Sequence, residues 1–160
     1  MNDKTSTWAL TLWPLLAACG GSVPQTGVWD YTDETVVENT CTEAIDYDGA
    51  DGEFTIENND DGTFVVDPLD GTDTFTCTVD GKDFSCPERI AEVVDLGGGA
   101  EAELTVAVKG SFSNKTQATG TQSAVFACVN DTCEAAAAIA GIPSPCTIEV
   151  DFEAEWVEDL

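Results

Sequence analysis

Residues 74–86 read Thr-Phe-Thr-Cys-Thr-Val-Asp-Gly-Lys-Asp-Phe-Ser-Cys. Phe75, Cys77 and Val79 alternate with Thr74, Thr76 and Thr78, so one face is apolar and the other carries hydroxyls. A period of two is that of a half-buried antiparallel strand. Asp80-Gly81 then favours a hairpin turn, because glycine adopts positive φ freely and aspartate tolerates it. With residues 80–83 as the turn, Val79 faces Phe84. Cys77 then stands opposite Cys86 on the same face, at a separation that a disulfide can span.

The same grammar runs outward in both directions. Asp-Gly recurs at 48–49, 51–52, 61–62 and 70–71. Phe54 and Ile56 share one face, while Leu104, Val106, Val108, Gly110 and Phe112 alternate with Thr105, Ala107, Lys109 and Ser111. About eight strands are expected, near 27–37, 52–58, 62–67, 73–79, 83–94, 101–113, 116–128 and 146–157. Residues 87–96 read equally as a helix starting at Pro87. One short helix is expected near 132–140, where Asp131-Thr132-Cys133-Glu134 has capping-box spacing and Gly141 can end the helix. The result is an all-β, antiparallel up-and-down meander.

A long meander must hide its edges, and closing it into a barrel does so. Gly27-Val28-Trp29 resembles the Gly-x-Trp of lipocalin-type (calycin) barrels. The resemblance implies a calycin-like barrel able to hold a small apolar ligand. In that family an arginine from the far end of the barrel packs on the tryptophan, and this chain's one arginine, Arg89, stands mid-chain. Alternation alone is equally compatible with a two-sheet β-sandwich.

The chain has 7 cysteines, an odd number, and Cys19 is the one set apart. It follows Lys4 and the apolar run of residues 8–18, which has the length of a secretory signal core and is too short to span a bilayer. Leu16-Ala17-Ala18-Cys19 resembles the lipobox of bacterial lipoproteins. The resemblance implies a signal peptide over 1–18 and palmitate-type acyl chains on Cys19. It also implies a lipidated tether over 19–26 and a domain over 27–160. Gly20, where aspartate would be the usual inner-membrane retention signal, points to the outer membrane of the cell envelope.

The other six cysteines imply three disulfides outside the cytoplasm. Cys77–Cys86 follows from the hairpin above. Cys128–Cys133 flanks a turn leading into the capped helix, and Cys41 and Cys146 are left over. In a closed, even-stranded meander the first and last strands are antiparallel neighbours. The end of one then lies beside the start of the other, which suits Cys41–Cys146.

The formal charge of −26 repels nucleic acid phosphates and anionic headgroups, so the membrane is met only through the lipid anchor. The chain has no histidine, which removes the commonest general base and metal ligand and excludes Ser-His and Cys-His nucleophiles. No enzymatic activity is expected, because among 31 acidic residues some carboxylate pair falls at catalytic spacing by chance. No cofactor is expected beyond a weak Ca²⁺ site with Asp46, Asp48 and Asp51 as candidate ligands. There the calcium-loop register fails, since Ala50 and Asp51 occupy the fifth and sixth positions counted from Asp46. A hairpin turn is the expectation for these acidic loops. The sequons at Asn114 and Asn130 are likewise read as turns.

Two function classes follow. One is a structural or interaction lipoprotein with a filled interior, which the many phenylalanines favour. The other is a binding module for a small apolar ligand, favoured if Gly110, Ala118, Gly120 and Ala124 cluster on one wall. The first is the expectation. Cys19→Ser is expected to move the protein from the detergent phase of a clouding nonionic detergent into the aqueous phase, and retention with the detergent would contradict lipidation.

Overall fold

The computed structural model describes residues 23–42, 49 and 51–160, so Cys19, Asp46 and Asp48 lie outside the described residues. Eight strands run in chain order: β1 (Gly27–Asn39), β2 (Glu53–Asn58), β3 (Thr63–Asp67), β4 (Phe75–Asp80), β5 (Asp83–Gly97), β6 (Ala100–Asn114), β7 (Gln117–Cys128) and β8 (Cys146–Glu158). Each strand pairs antiparallel with the next, and β1 pairs with β8, so the meander is a closed barrel and not a sandwich. This architecture is consistent with the calycin-like fold.

Residues 87–96 belong to β5 and not to a helix. The register against β6 shifts between Cys86 and Arg89, between Ile90 and Glu92, and between Asp95 and Gly97. These bulges let a strand containing Pro87 keep its ladder while changing which side chains face inward. The helix, α1 (Asp131–Ala140), begins one residue earlier than expected, because its N-cap is Asn130. The Asn130 carboxamide oxygen accepts from the Cys133 backbone N–H at 2.9 Å. Gly141 closes the other end with φ 72°.

In the β4–β5 hairpin, Val79 faces Phe84 and Asp80 faces Asp83, which leaves Gly81 and Lys82 at the tip. Cys77 and Cys86 are bridged with Cα atoms 4.2 Å apart. Cys41–Cys146 and Cys128–Cys133 form the other bridges, with Cα separations of 5.0 and 5.4 Å.

The strands are unequal, and this shapes the barrel. β2, β3 and β4 have 6, 5 and 6 residues, whereas β1 and β5 to β8 have 12 to 15. Every strand reaches the pole where the tips at Asn59–Gly62, Gly81–Lys82 and Lys115–Thr116 gather, and only the long strands reach the other.

The closed pole is sealed from within and from outside. Trp29, fully buried, packs against Phe54 and Phe112 and donates its indole N–H to the Gln25 carbonyl at 3.0 Å. Pro24 is buried, the Gln25 N–H bonds to the Lys115 carbonyl, and the Trp156 indole N–H reaches the Thr26 carbonyl. Residues 24–26, read from sequence as the end of a tether, are thus part of the barrel floor. A Cβ on Gly27 would sit 2.3 Å from the Glu158 carbonyl and the Trp156 ring, which explains the glycine beside Trp29. Arg89 does not pack on that tryptophan; its guanidinium lies 4.2 Å above the Phe75 ring.

At the other pole α1 packs on β6 and β7. Cys133 and Ala137 of the helix are buried, and Cys133 joins Ala100, Ala102, Phe126, Cys146 and Ile148 in a second apolar cluster. The local bridge Cys128–Cys133 and the long-range bridge Cys41–Cys146 meet there, whereas Cys77–Cys86 lies in the other apolar cluster. Cys41–Cys146 spans 105 residues, for which the chain-entropy account gives about 4.7 kcal/mol, against about 3 kcal/mol or less for the short loops. Replacing Cys41 and Cys146 together by serine is therefore expected to lower the denaturant midpoint more than the same change at Cys77 and Cys86. Chemical unfolding of the two variants at equal slope measures the difference.

Candidate ligand-binding cup

The barrel interior holds a cavity of about 460 Å³. Its wall is aromatic because the inward positions of the strands are. Phe54 and Ile56 of β2, Phe64 and Val66 of β3, Phe84 of β5, Phe112 of β6 and Phe152 of β8 all line it, with Trp29 at the floor. Phe112 is central to the floor, with ring centroids 5.6 Å from Phe64 and 4.8 Å from Phe84.

Phenylalanines at so many inward positions would ordinarily fill a small barrel. Two glycines change the outcome. Gly110 and Gly120 are cross-strand partners, and a Cβ on either would come within 2.6 Å of a phenyl ring, of Phe84 and Phe152 respectively. The rings therefore lie back against bare backbone instead of projecting to the barrel axis. Ala118 and Ala154 face one another across β7 and β8 and also line the cavity. Gly110, Ala118, Gly120 and Ala124 all stand on the β6–β7 pair, but of the four only Ala118 lines the cavity.

The cup opens at the pole remote from the N-terminus, where the short strands end. Asp51 at the head of β2, Pro68, Asp70 and Thr72 of the β3–β4 loop, and Arg89 and Glu92 of β5 form its mouth. Arg89 and Glu92 face Val106 and Leu104 across the ladder, and both of those line the cavity. The bulge at Ala91 makes this possible, because strict alternation would send one of the two outward.

The acidic loops are held as turns. Asp70 Oδ1 accepts from the Thr72 backbone N–H at 2.8 Å and from its hydroxyl at 2.7 Å. Asp61 makes the same pair of bonds with Thr63. Asn114 does so with Thr116. Burial would raise the Asp70 carboxyl, but the two Thr72 bonds and the charge of Arg89 outweigh it and hold the group below its ordinary value. The mouth therefore keeps this carboxylate ionised. Among the described residues no group of three or more acidic or cysteine side chains is placed to hold a metal ion. Asp51 stands exposed at the mouth, while Asp46 and Asp48 lie outside the described residues.

Among the described residues, one buried polar side chain enters the wall. Gln122 is only 7 % exposed and donates its side-chain N–H to the Gly49 carbonyl at 3.0 Å, tying β7 to the β1–β2 connection. Sequence reading passed over it. Its signal was parity, since it is a polar residue at an inward position between Ala118 and Ala124. Arg89 and Asp70 carried no comparable signal, because a bulge and a turn decide where they point.

No protein-family model matches the chain, and no curated protein or solved structure matches it either. The functional reading therefore rests on the geometry of the cup.

Asp70 has a depressed folded-state pKa, so its ionisation adds stability above the ordinary carboxylate range, and that contribution is lost as pH falls through the folded value. Thr72→Val removes the hydroxyl bond and is expected to move the Asp70 titration upward, toward the ordinary carboxylate value. Carboxyl-detected NMR titration of the two proteins checks this.

Proposed function

We propose that this chain is a non-enzymatic binding protein whose barrel holds a small, largely apolar molecule, presented from the cell envelope on the lipidated Cys19. The observation that carries the reading is the 460 Å³ cavity, walled by aromatic rings and open at one pole. Ligand pockets generally occupy about 300–1,000 Å³ and combine apolar walls with a few placed polar groups. A filled core would be more stable than one with such a cavity, so the open volume favours binding over a filled structural barrel.

The anchor and the cup fit one arrangement. Pro24 is buried in the closed pole, so the chain from Cys19 to that point reaches at most about 17 Å. Lipidation of Cys19 would therefore hold the floor of the barrel against the bilayer and turn the mouth away from it. Ligand would enter from the aqueous side.

The test is fluorescence titration of the full chain with N-phenylnaphthylamine, an uncharged apolar probe that brightens on leaving water. Saturable, one-to-one brightening is expected. Leu104→Trp, which enlarges a half-buried side chain on the cavity wall, is expected to abolish it while the circular dichroism spectrum is kept. No brightening by the native chain, or brightening unaffected by the tryptophan, would overturn the reading.

A further inference from the structure

The wall and the mouth of the cup differ in character, and together they specify a head group. On the wall, the Tyr31 ring lies 4.7 Å from Phe54 and 5.3 Å from Phe152 between centroids. All three rings line the cavity. Aromatic faces carry the negative lobe of the ring quadrupole, so a group of rings around a cavity favours a cation with a weakly held hydration shell. The chain already makes one such contact, with the Arg89 guanidinium over Phe75 at 4.2 Å.

At the mouth, Asp51, Glu53, Asp70 and Glu92 stand against one cation, Arg89. That guanidinium lies over the Phe75 ring, and the four carboxylates around it outnumber its single positive charge, so the rim as a whole repels an anion. The whole chain adds a field of the same sign, with a formal charge of −26.

We infer that the ligand of the cup is an organic cation: an apolar body that enters the aromatic barrel, ending in an amine or quaternary ammonium held between the rings and the acidic mouth. A metal ion does not suit the site, because its hydration shell is too strongly held to exchange for aromatic faces. This inference rests on the cup being a ligand site, and the experiment separates the two claims.

The full chain is titrated calorimetrically with three probes sharing a phenylbutyl body and ending in trimethylammonium, hydroxyl or carboxylate. The trimethylammonium probe is expected to bind about 2- to 30-fold more tightly than the hydroxyl probe, the span of one cation–aromatic contact from exposed to desolvated. The carboxylate probe is expected to bind most weakly. Asp70→Asn combined with Glu92→Gln should lower the ratio of trimethylammonium to hydroxyl affinity. If that variant loses the hydroxyl probe as well, the native chain decides by salt: the advantage must shrink as ionic strength rises, and an advantage indifferent to salt overturns the inference. Equal binding of the cation and the alcohol, or tightest binding of the carboxylate, overturns it and leaves the cup a ligand site. If none of the three binds and N-phenylnaphthylamine does not brighten, the cup itself is not a ligand site.

Discussion

The ladder between β1 and β8 is the interaction on which the rest of the structure depends. It runs from Val28 opposite Glu158 to Asn39 opposite Ile148 and converts an open meander into a barrel. Without it two long strands would be unpaired edges, the usual route to aggregation. The ladder forms against an electrostatic cost. Asp30 faces Glu155, Asp33 faces Glu153 and Glu38 faces Glu149, so like charges stand directly opposite one another. Such pairs each oppose the ladder by a few tenths of a kcal/mol up to about 1. Backbone hydrogen bonding, the buried inner face of β8 and the Cys41–Cys146 bridge at the end of the ladder offset them.

Closure with unequal strands gives the barrel two different ends. Where all eight strands reach, the interior is packed: Trp29, Phe64 and Phe112 are buried almost completely, and residues 24–26 lie across the base. Where only the long strands reach, the interior is covered in part by α1 and its apolar cluster, and the rest is the mouth. The cavity follows from this asymmetry and from glycines that let Phe84 and Phe152 lie flat against β6 and β7. The closed pole carries residues 24–26, and the proposed ligand site opens at the other.

The acidity of the chain has two consequences of different kind. On the outer face of β1 and β8 it is a charge density that the fold tolerates and that opposes close approach of like-charged surfaces. At the mouth it underlies the proposed preference for a cation. The physical difference is position: carboxylates of both groups are exposed to water, but those at the rim stand beside an apolar cavity.

The alternating strands, the Asp-Gly turns and the capped helix were legible in the sequence, because each follows from neighbours a few residues apart. Phe75-Thr76-Cys77-Thr78-Val79 is a strand with one apolar face whatever surrounds it, and the need to bury that face and hide the edges pointed to a closed barrel. Three things lay beyond local pattern. Tertiary pairing kept 87–96 in a strand, because pairing with β6 through bulges outweighed the preference of Pro87 to start a helix. The bulge at Ala91 and the turn at Asp70 brought Arg89, Glu92 and Asp70 to one mouth, although nothing in their spacing relates them. Whether the phenylalanines filled the barrel depended on which strand faced Gly110 and Gly120, and cross-strand neighbours separated by tens of residues are fixed only when the sheet closes.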